Sequence, residues 1–405
     1  MTHSISQSRR SLLTAAAAGL GLATSGGISR ATVPSCLRGT GDLGVVVERA
    51  SGSVLVVETS RRTSLGRVEG LGDLSHASVV FSRDERYAYV FGRDGGLTKV
   101  DILNLSVERR VIQAGNAIGG AISDDGRIVA VSNYEPGGVR FFDAGTLEPI
   151  AEVPAIDRYG ARSKTVGLVD LPFGRFAWSL YDGGEIWLAD FQRRGNTPML
   201  TRIFDIGRLP YDGVVTSDGR WYVAGLFGED ALVRLDLWSE RLHPERVLDG
   251  YGKGEAPLPV YKMPHMEGWA AVGDRLLLPA VGRQEVLMVE RDTFRSVATI
   301  PVHGQPVFVV ARPDGRQAWV NFAHPYNDVI EVIDIPSASV VHRLRPGPAV
   351  LHMEFTPRGH EVWISVRDAN RIDVYETLNF TKVTELAAGK PSGIFFTSRA
   401  HRIGL

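Results

Sequence analysis

Residues 301–328, PVHGQPVFVVARPDGRQAWVNFAHPYND, read as a strand, a tight reversal and a second strand. Pro306–Ala311 is an apolar, β-branched run, Pro313-Asp314-Gly315-Arg316 supplies the turn, and Gln317–Phe322 returns. Asp-Gly between two such runs is a strong hairpin signal, because glycine takes the positive φ that the turn needs. A third strand is expected at 329–333 and a fourth at Ser339–Leu344. Helical periodicity is absent. A four-stranded unit of this kind cannot bury both faces alone, so it needs copies of itself on either side.

The copies are visible. Short inner strands followed by a turn recur at 79–81 with Asp84-Glu85-Arg86, 121–122 with Asp125-Gly126-Arg127, and 167–170 with Phe173-Gly174-Arg175. They continue at 213–215 with Asp218-Gly219-Arg220, 269–272 with Gly273-Asp274-Arg275, and 353–355 with Pro357-Arg358-Gly359. Gly126 to Gly174 is 48 residues, Gly174 to Gly219 is 45 and Gly315 to Gly359 is 44. Four short strands at this period are the signature of an all-β propeller. Three strands at 45–68 lack an inner partner, and Pro391–Phe396 is an inner strand without followers. Pairing them makes an eighth blade and leaves no open edge. Eight blades is the expectation, with seven as the alternative. Residues 240–264 read as the longest irregular insert, a functional loop or a plain surface loop.

Composition agrees and narrows the function. The 405 residues carry 44% hydrophobic content, 45 glycines and 21 prolines, which fits a turn-rich β fold with a full core. A net charge of -1 lacks the basic footprint of general nucleic-acid binding. The single cysteine, Cys36, excludes an internal disulfide and a cysteine metal cluster. No C-x-x-C-H motif is present for covalent haem, so electrons for redox chemistry would need an outside partner.

Residues 1–35 are expected to lie outside the fold. Ser8-Arg9-Arg10-Ser11-Leu12-Leu13, followed by an Ala/Gly/Leu run, reads as a twin-arginine export signal, against the alternative of a disordered tail. The mature product, 36–405, is then expected in the periplasm. Val33-Pro34-Ser35-Cys36 is a loose lipoprotein box, and Ser29-Arg30-Ala31 offers ordinary cleavage instead. Lipidation of Cys36 would anchor the protein to a membrane; otherwise it is soluble. Gly39-Thr40-Gly41-Asp42-Leu43-Gly44 matches G-x-G-x-x-G, but it precedes a strand where a dinucleotide site needs a helix.

In a propeller the segments entering the inner strands form one rim of a central channel. Counted back from the turns, His76, Pro210, His265 and Gln305 fall at one step, with His303 and His352 within two positions of it. His324 lies in a loop after a second strand, which can approach the opposite rim or the outer edge. Imidazoles at a channel mouth can ligate iron or another metal and titrate near neutral pH; the alternative is that each caps a strand or packs on a neighbour. Asp170 stands where other inner strands carry Phe81, Ile122, Val215, Ala311 and Phe355. A carboxylate there is costly unless paired, and its burial suits either general acid–base work or an inter-blade ion pair. Arg162 and Lys164 lie just upstream. Asn116, Tyr211, Asp212, Lys262 and Arg93 complete the rim candidates, the cations suited to carboxylate ligands. Trp187, Trp269, Trp319 and Trp363 read as core.

Several runs carry a further signal. LGDLSHASVVFSRD (71–84), VFGRDGGLTKVDIL (90–103), SNYEPGGVR (132–140), AGLFGED (224–230), VYKMPHMEGWA (260–270), IPVHGQPVFVVARPDGRQAWVNFAHP (300–325) and PSGIFFTSRAHRIGL (391–405) resemble the NirF family of haem d1 biosynthesis, over essentially the whole mature chain. The resemblance implies an eight-bladed propeller similar to the d1-haem domain of the cd1-type nitrite reductase, periplasmic, soluble or lipid-anchored. It implies a non-covalent iron-tetrapyrrole at the channel mouth, haem d1 or a late precursor. His76 (as iron ligand or proton carrier) and Asp170 are the positions that match the family's functional histidine and aspartate. Arg93, Arg162 and Lys164 would hold carboxylates, beside His265, His303, His324 and His352. Two functions follow as expectations: an enzyme that modifies the precursor's periphery, by oxidation or side-chain removal, or a carrier delivering the cofactor. Partners would be a periplasmic redox protein and nitrite reductase maturation proteins.

Overall fold

A computed structural model describes residues 39–192, 195–250, 269–280 and 282–402. These residues form eight four-stranded antiparallel sheets. The sheet built on the opening stretch is Pro306–Ala311, Gln317–Phe322, Ile330–Asp334 and Ser339–Leu344, paired in that order. We number the blades in chain order from Ser78–Phe81 (blade 1). Blade 8 takes its inner strand from Pro391–Phe396 and its other three from Leu43–Glu48, Ser53–Glu58 and Thr63–Val68. Gly44 pairs with Phe396 and Val46 with Ile394, so the ring is closed by residues some 350 apart in sequence. The buried Glu48 carboxylate strengthens the join: it accepts from the Gly389 N–H at 2.7 Å and is gripped by Arg67.

The repeat has a physical basis in the turn. Ser82, Ser123 and Thr216 hydroxyls donate to Asp84, Asp125 and Asp218, and those carboxylates accept the backbone N–H two residues on. The following arginine then reaches the end of the third strand, as in Arg86–Asp101 at 2.7 Å and Arg220–Asp236 at 2.8 Å. Short polar side chains thus replace the backbone partners that a two-residue reversal leaves unsatisfied.

The core is a set of layers between blades. Among the described residues eight apolar clusters occur, each joining two neighbouring sheets. Trp178 and Trp187 fill the layer between blades 2 and 3, and Trp363 packs edge-on against Phe396 at 5.6 Å between blades 7 and 8. Truncating such a ring to alanine costs about 3–5 kcal/mol.

Two sequence readings change. Pro244–Val247, inside the expected insert at 240–264, is the outer strand of blade 4, with Leu232 opposite Val247. This outer strand, Pro-Glu-Arg-Val, is four residues long and mostly polar, so it carries no apolar run to read, although Val247 packs on the cluster between blades 4 and 5; residues 251–264 of that insert lie outside the described residues. Trp269 is half-buried in the channel wall and is not a core residue like Trp187, Trp319 and Trp363.

The inner strands share one irregularity that positions the site. Registers shift between Val166 and Val169, Tyr211 and Val214, Pro306 and Val309, and Val350 and Met353. Each shift places an extra residue on the inner strand, and such a bulge re-aims side chains. The bulged residues, including Gly167, Asp212, Phe308 and His352, all line the channel. Gly167 has φ +60°, and a Cβ there would sit 2.3 Å from the Asp212 carbonyl carbon. Only glycine allows blade 3 to approach blade 4 this closely.

Candidate functional site

A cavity of about 1290 Å³ is lined by the inner strands and by residues from both of their ends. Its middle wall is mostly apolar, with Val169, Val215, Val309, Phe308, Phe322 and Phe395. The two ends differ chemically.

The end where inner strands begin is lined by Arg49, His76, Tyr211, Asp212, His324, Asn327 and Arg367. Arg49 sits in the turn between the second and third strands of blade 8. Burial lowers its pKa and the like charge of Arg367 lowers it further, with Asp73 opposing. Arg49 makes no ion pair among the described residues; Arg367 pairs with its neighbour Asp368 at 2.7 Å. Arg93 lies behind this rim, its N–H donating to the Asp73 carbonyl at 2.8 Å. Asp73 is held below its usual range by the Ser75 N–H, with Arg93 and Arg49 adding to the effect. Two guanidinium groups lowered into one cavity raise the local potential and favour a carboxylate ligand.

On the other side of this mouth the Tyr134 and Tyr211 hydroxyls meet at 3.0 Å, and Tyr181 packs edge-on to Tyr211 at 5.9 Å. Burial raises the pKa of both Tyr134 and Tyr211, and the Asp212 charge raises them further.

At the end where the turns lie, Glu354 and Arg399 form two bonds of 3.1 and 2.6 Å, both largely buried. His401 Nε2 lies 2.9 Å from Glu85. Arg312 donates to the Gly359 carbonyl at 3.0 Å. Asp170 belongs to this end. It is 2% exposed, and its carboxylate lies 3.6 Å from Arg83 Nη2. Arg83 also donates to the carbonyls of Ile122, Ser123 and Ala400, so it ties blades 1, 2 and 3 to the 3-10 turn Thr397–His401.

The structure therefore separates His76 from Asp170. The alignment of turns places Asp170 five residues further along its inner strand than the position equivalent to His76. At about 3.3 Å per residue this is roughly 16 Å along the channel. The carboxylate that shares the His76 end is Asp212. His324 also lies at that end, on neither the opposite rim nor the outer edge: the second strand is antiparallel, so it returns to the rim where the first began. His352 is buried in the channel wall, where Nδ1 accepts from the Ile394 N–H at 3.2 Å and the ring packs between Phe308 and Phe395. His303 packs 4.6 Å from Tyr326 and its N–H donates to Glu331, away from the cavity wall. Arg162 reaches only the Pro136 carbonyl, at 3.4 Å, and Lys164 pairs with Asp182 at 3.1 Å; both are exposed and outside the wall. Asn116 opens the inner strand of blade 2, its side-chain oxygen buried. His265, Lys262, Cys36 and the export segment lie outside the described residues.

Sequence reasoning missed Arg49, Arg367 and Tyr134. Arg49 and Arg367 directly follow a second strand and Tyr134 lies near the end of one, where the chain returns to the same rim. The group they form suits a flat apolar ring edged with carboxylates. An iron inside such a ring asks for one axial imidazole; among the described residues no three His, Cys, Asp or Glu side chains gather as a metal cluster.

Comparison with known proteins places the chain in a family. Residues 38–400 match the family described as the cytochrome D1 heme domain. A protein NirF of Stutzerimonas stutzeri is 56% identical over 381 residues, covering 94% of this chain and 97% of that protein. A protein NirF of Pseudomonas aeruginosa is 58% identical over 371 residues, covering 91% and 94%. The solved structure of the dihydro-heme d1 dehydrogenase NirN in complex with DHE superposes with a TM-score of 0.78 at 27% identity, covering 92% of this chain and 79% of that one.

Proposed function

The chain belongs to the NirF family, within the cytochrome d1 haem domain proteins, and we propose from that premise that it binds a late iron-tetrapyrrole precursor of haem d1 and modifies its periphery. Its place is haem d1 biosynthesis. The observation that carries the binding is the pair of arginines, Arg49 and Arg367, set beside His76 at the mouth of an apolar-walled channel. The ring would lie across this mouth with carboxylates on the arginines. His76 would supply a nitrogen to hold the iron or would move a proton, and Asp212, which lines the same end of the cavity, would serve as base. When bound, the iron-tetrapyrrole supplies the electronic chemistry, and the protein orients it, excludes water and handles protons. Oxidation of the periphery would release electrons to an outside acceptor, a periplasmic redox protein. Export through the twin-arginine segment belongs to this reading, and an Arg9→Lys, Arg10→Lys variant retained in the cytoplasm would support it.

A second reading is a carrier that delivers the cofactor to the nitrite reductase without changing it. The observation favouring it is the separation of His76 from Asp170, which leaves the expected catalytic pair unassembled. Anaerobic incubation with the tetrapyrrole that accumulates in cells lacking the protein tests both. A change in the ligand's mass, abolished by His76→Ala, establishes the enzyme. A spectral shift at constant mass, with the redox partner present, establishes the carrier.

A further inference from the structure

The mouth of the channel has two chemically distinct sides. In an eight-membered ring blade 4 stands opposite blade 8, so Tyr211 faces the side that carries Arg49. The Tyr134–Tyr211 pair has a simple proton count. Two neutral hydroxyls hold two protons. One forms the 3.0 Å bond between them, whichever ring donates. The other has no acceptor among the described residues. Tyr211 lines the cavity and Tyr134 does not; when Tyr134 donates in the bond between them, the Tyr211 proton is available to the cavity. Tyr181, edge-on to Tyr211, limits its ring movement.

The pair differs from the arginines in what it can recognise. A guanidinium selects a carboxylate through charge. A phenol that stays protonated offers a single directional bond and no charge, which selects a neutral acceptor oxygen. Burial, aided by Asp212, keeps both phenols protonated at neutral pH.

We propose that the Tyr134–Tyr211 pair is a specificity site that donates its remaining proton to an uncharged, carbonyl-type oxygen on the tetrapyrrole edge opposite the carboxylates held by Arg49 and Arg367. This rests on the tetrapyrrole-binding reading. It adds that the mouth distinguishes an edge that bears a carbonyl from one that does not and so fixes one orientation, because swapping the edges would leave the phenol without its acceptor.

The test uses the full-length protein and two probes: haem d1, which bears ring oxo groups, and haem b, which bears propionates but no oxo group. The wild type should bind haem d1 more tightly. Tyr211→Phe should weaken haem d1 by about five- to tenfold, the worth of one hydrogen bond to a buried group, and leave haem b within about twofold. The carbonyl stretch of bound haem d1 should rise in frequency, since a bond to its oxygen is lost. Tyr134→Phe removes the backing hydroxyl but keeps the donor, so the preference should persist in weakened form. Equal weakening of both probes, or an unmoved carbonyl stretch, would overturn the specificity site and leave tetrapyrrole binding standing. A wild type that binds neither probe would overturn both.

Discussion

At the turn end of the channel, Glu354 meets Arg399 through two bonds and Asp170 meets Arg83. At the entrance end, Arg49 meets no carboxylate among the described residues and is pressed by Arg367 instead. Both ends are built from the same inner strands. The difference lies in how charge is spent on the fold. Buried charges on the turn side are neutralised within the molecule, where they lock blades together. Arg402, exposed at the end of the described chain, is pressed by Arg399 and has Glu354 as its opposing charge. On the entrance side Arg367 pairs with Asp368, but Arg49 has only the non-bonded Asp73 against it, so its charge is less fully offset in the protein alone and gains more from an anion in place.

Breaking the turn end gives the largest expected effect. Glu354→Ala leaves the Arg399 guanidinium without its bidentate partner, and unfolding by denaturant should show a loss of about 3–5 kcal/mol. Tetrapyrrole affinity of the folded fraction should be unchanged; a loss of affinity without loss of stability would dissolve the contrast between the ends.

Breaking the entrance end comes next. Arg49→Ala should weaken tetrapyrrole binding by about tenfold to a hundredfold, as expected for a charged hydrogen bond. Thermal stability without ligand should hold or rise, because the repulsion from Arg367 is relieved. Titration and melting curves on one preparation check both halves of the statement.

Asp170→Asn sharpens the contrast from the other side. Arg83 keeps three carbonyl acceptors, so the stability loss should be only about 1–2 kcal/mol, with affinity retained. Recovery of active nitrite reductase in cells then reports its role: a loss of function with stability and affinity intact would put Asp170 in the chemistry despite its distance from His76. The smallest effect is that of salt. Raising ionic strength to about 0.15 M, where the Debye length is about 8 Å, should weaken tetrapyrrole binding a few-fold and leave unfolding at neutral pH nearly unaffected, since the turn-end pairs are buried.

The blades were legible because the turn is chemical: Asp125-Gly126-Arg127, Asp218-Gly219-Arg220 and Asp314-Gly315-Arg316 recur between apolar runs, and in the structure Arg86 and Arg220 each reach a third strand. Strand bounds such as Pro306–Ala311 and Ser339–Leu344 come straight from the apolar runs and the reversal between them. Ring closure was legible too, since 45–68 lacked an inner strand and Pro391–Phe396 supplied one. The site was less so. Asp212 and His352 stood among the rim candidates, but a bulge adds one residue without altering composition, so the irregularity that turns them into the channel was not legible. Counting only from the inner strand also hid Arg49, Tyr134 and Arg367, whose rim is reached by the return of the second strand. Asp170 stood out correctly as unusual, but a lone carboxylate in an apolar row does not reveal that its partner, Arg83, lies two blades away.

Blade 8 also sets a timetable. Every other blade can form from contiguous chain as soon as its four strands exist. Blade 8 waits for Pro391–Phe396 to find Leu43–Glu48, a loop closure spanning almost the whole described chain. Long-range pairing of this kind slows folding, because loop entropy is lost before contacts compensate it. Until that last strand docks, two sheet edges stay open and the arginine side of the mouth is incomplete, since Arg49 is carried by the closing blade. Assembly of the ligand site is thereby tied to the final step of folding, and a chain that has not closed its ring has little with which to grip a tetrapyrrole.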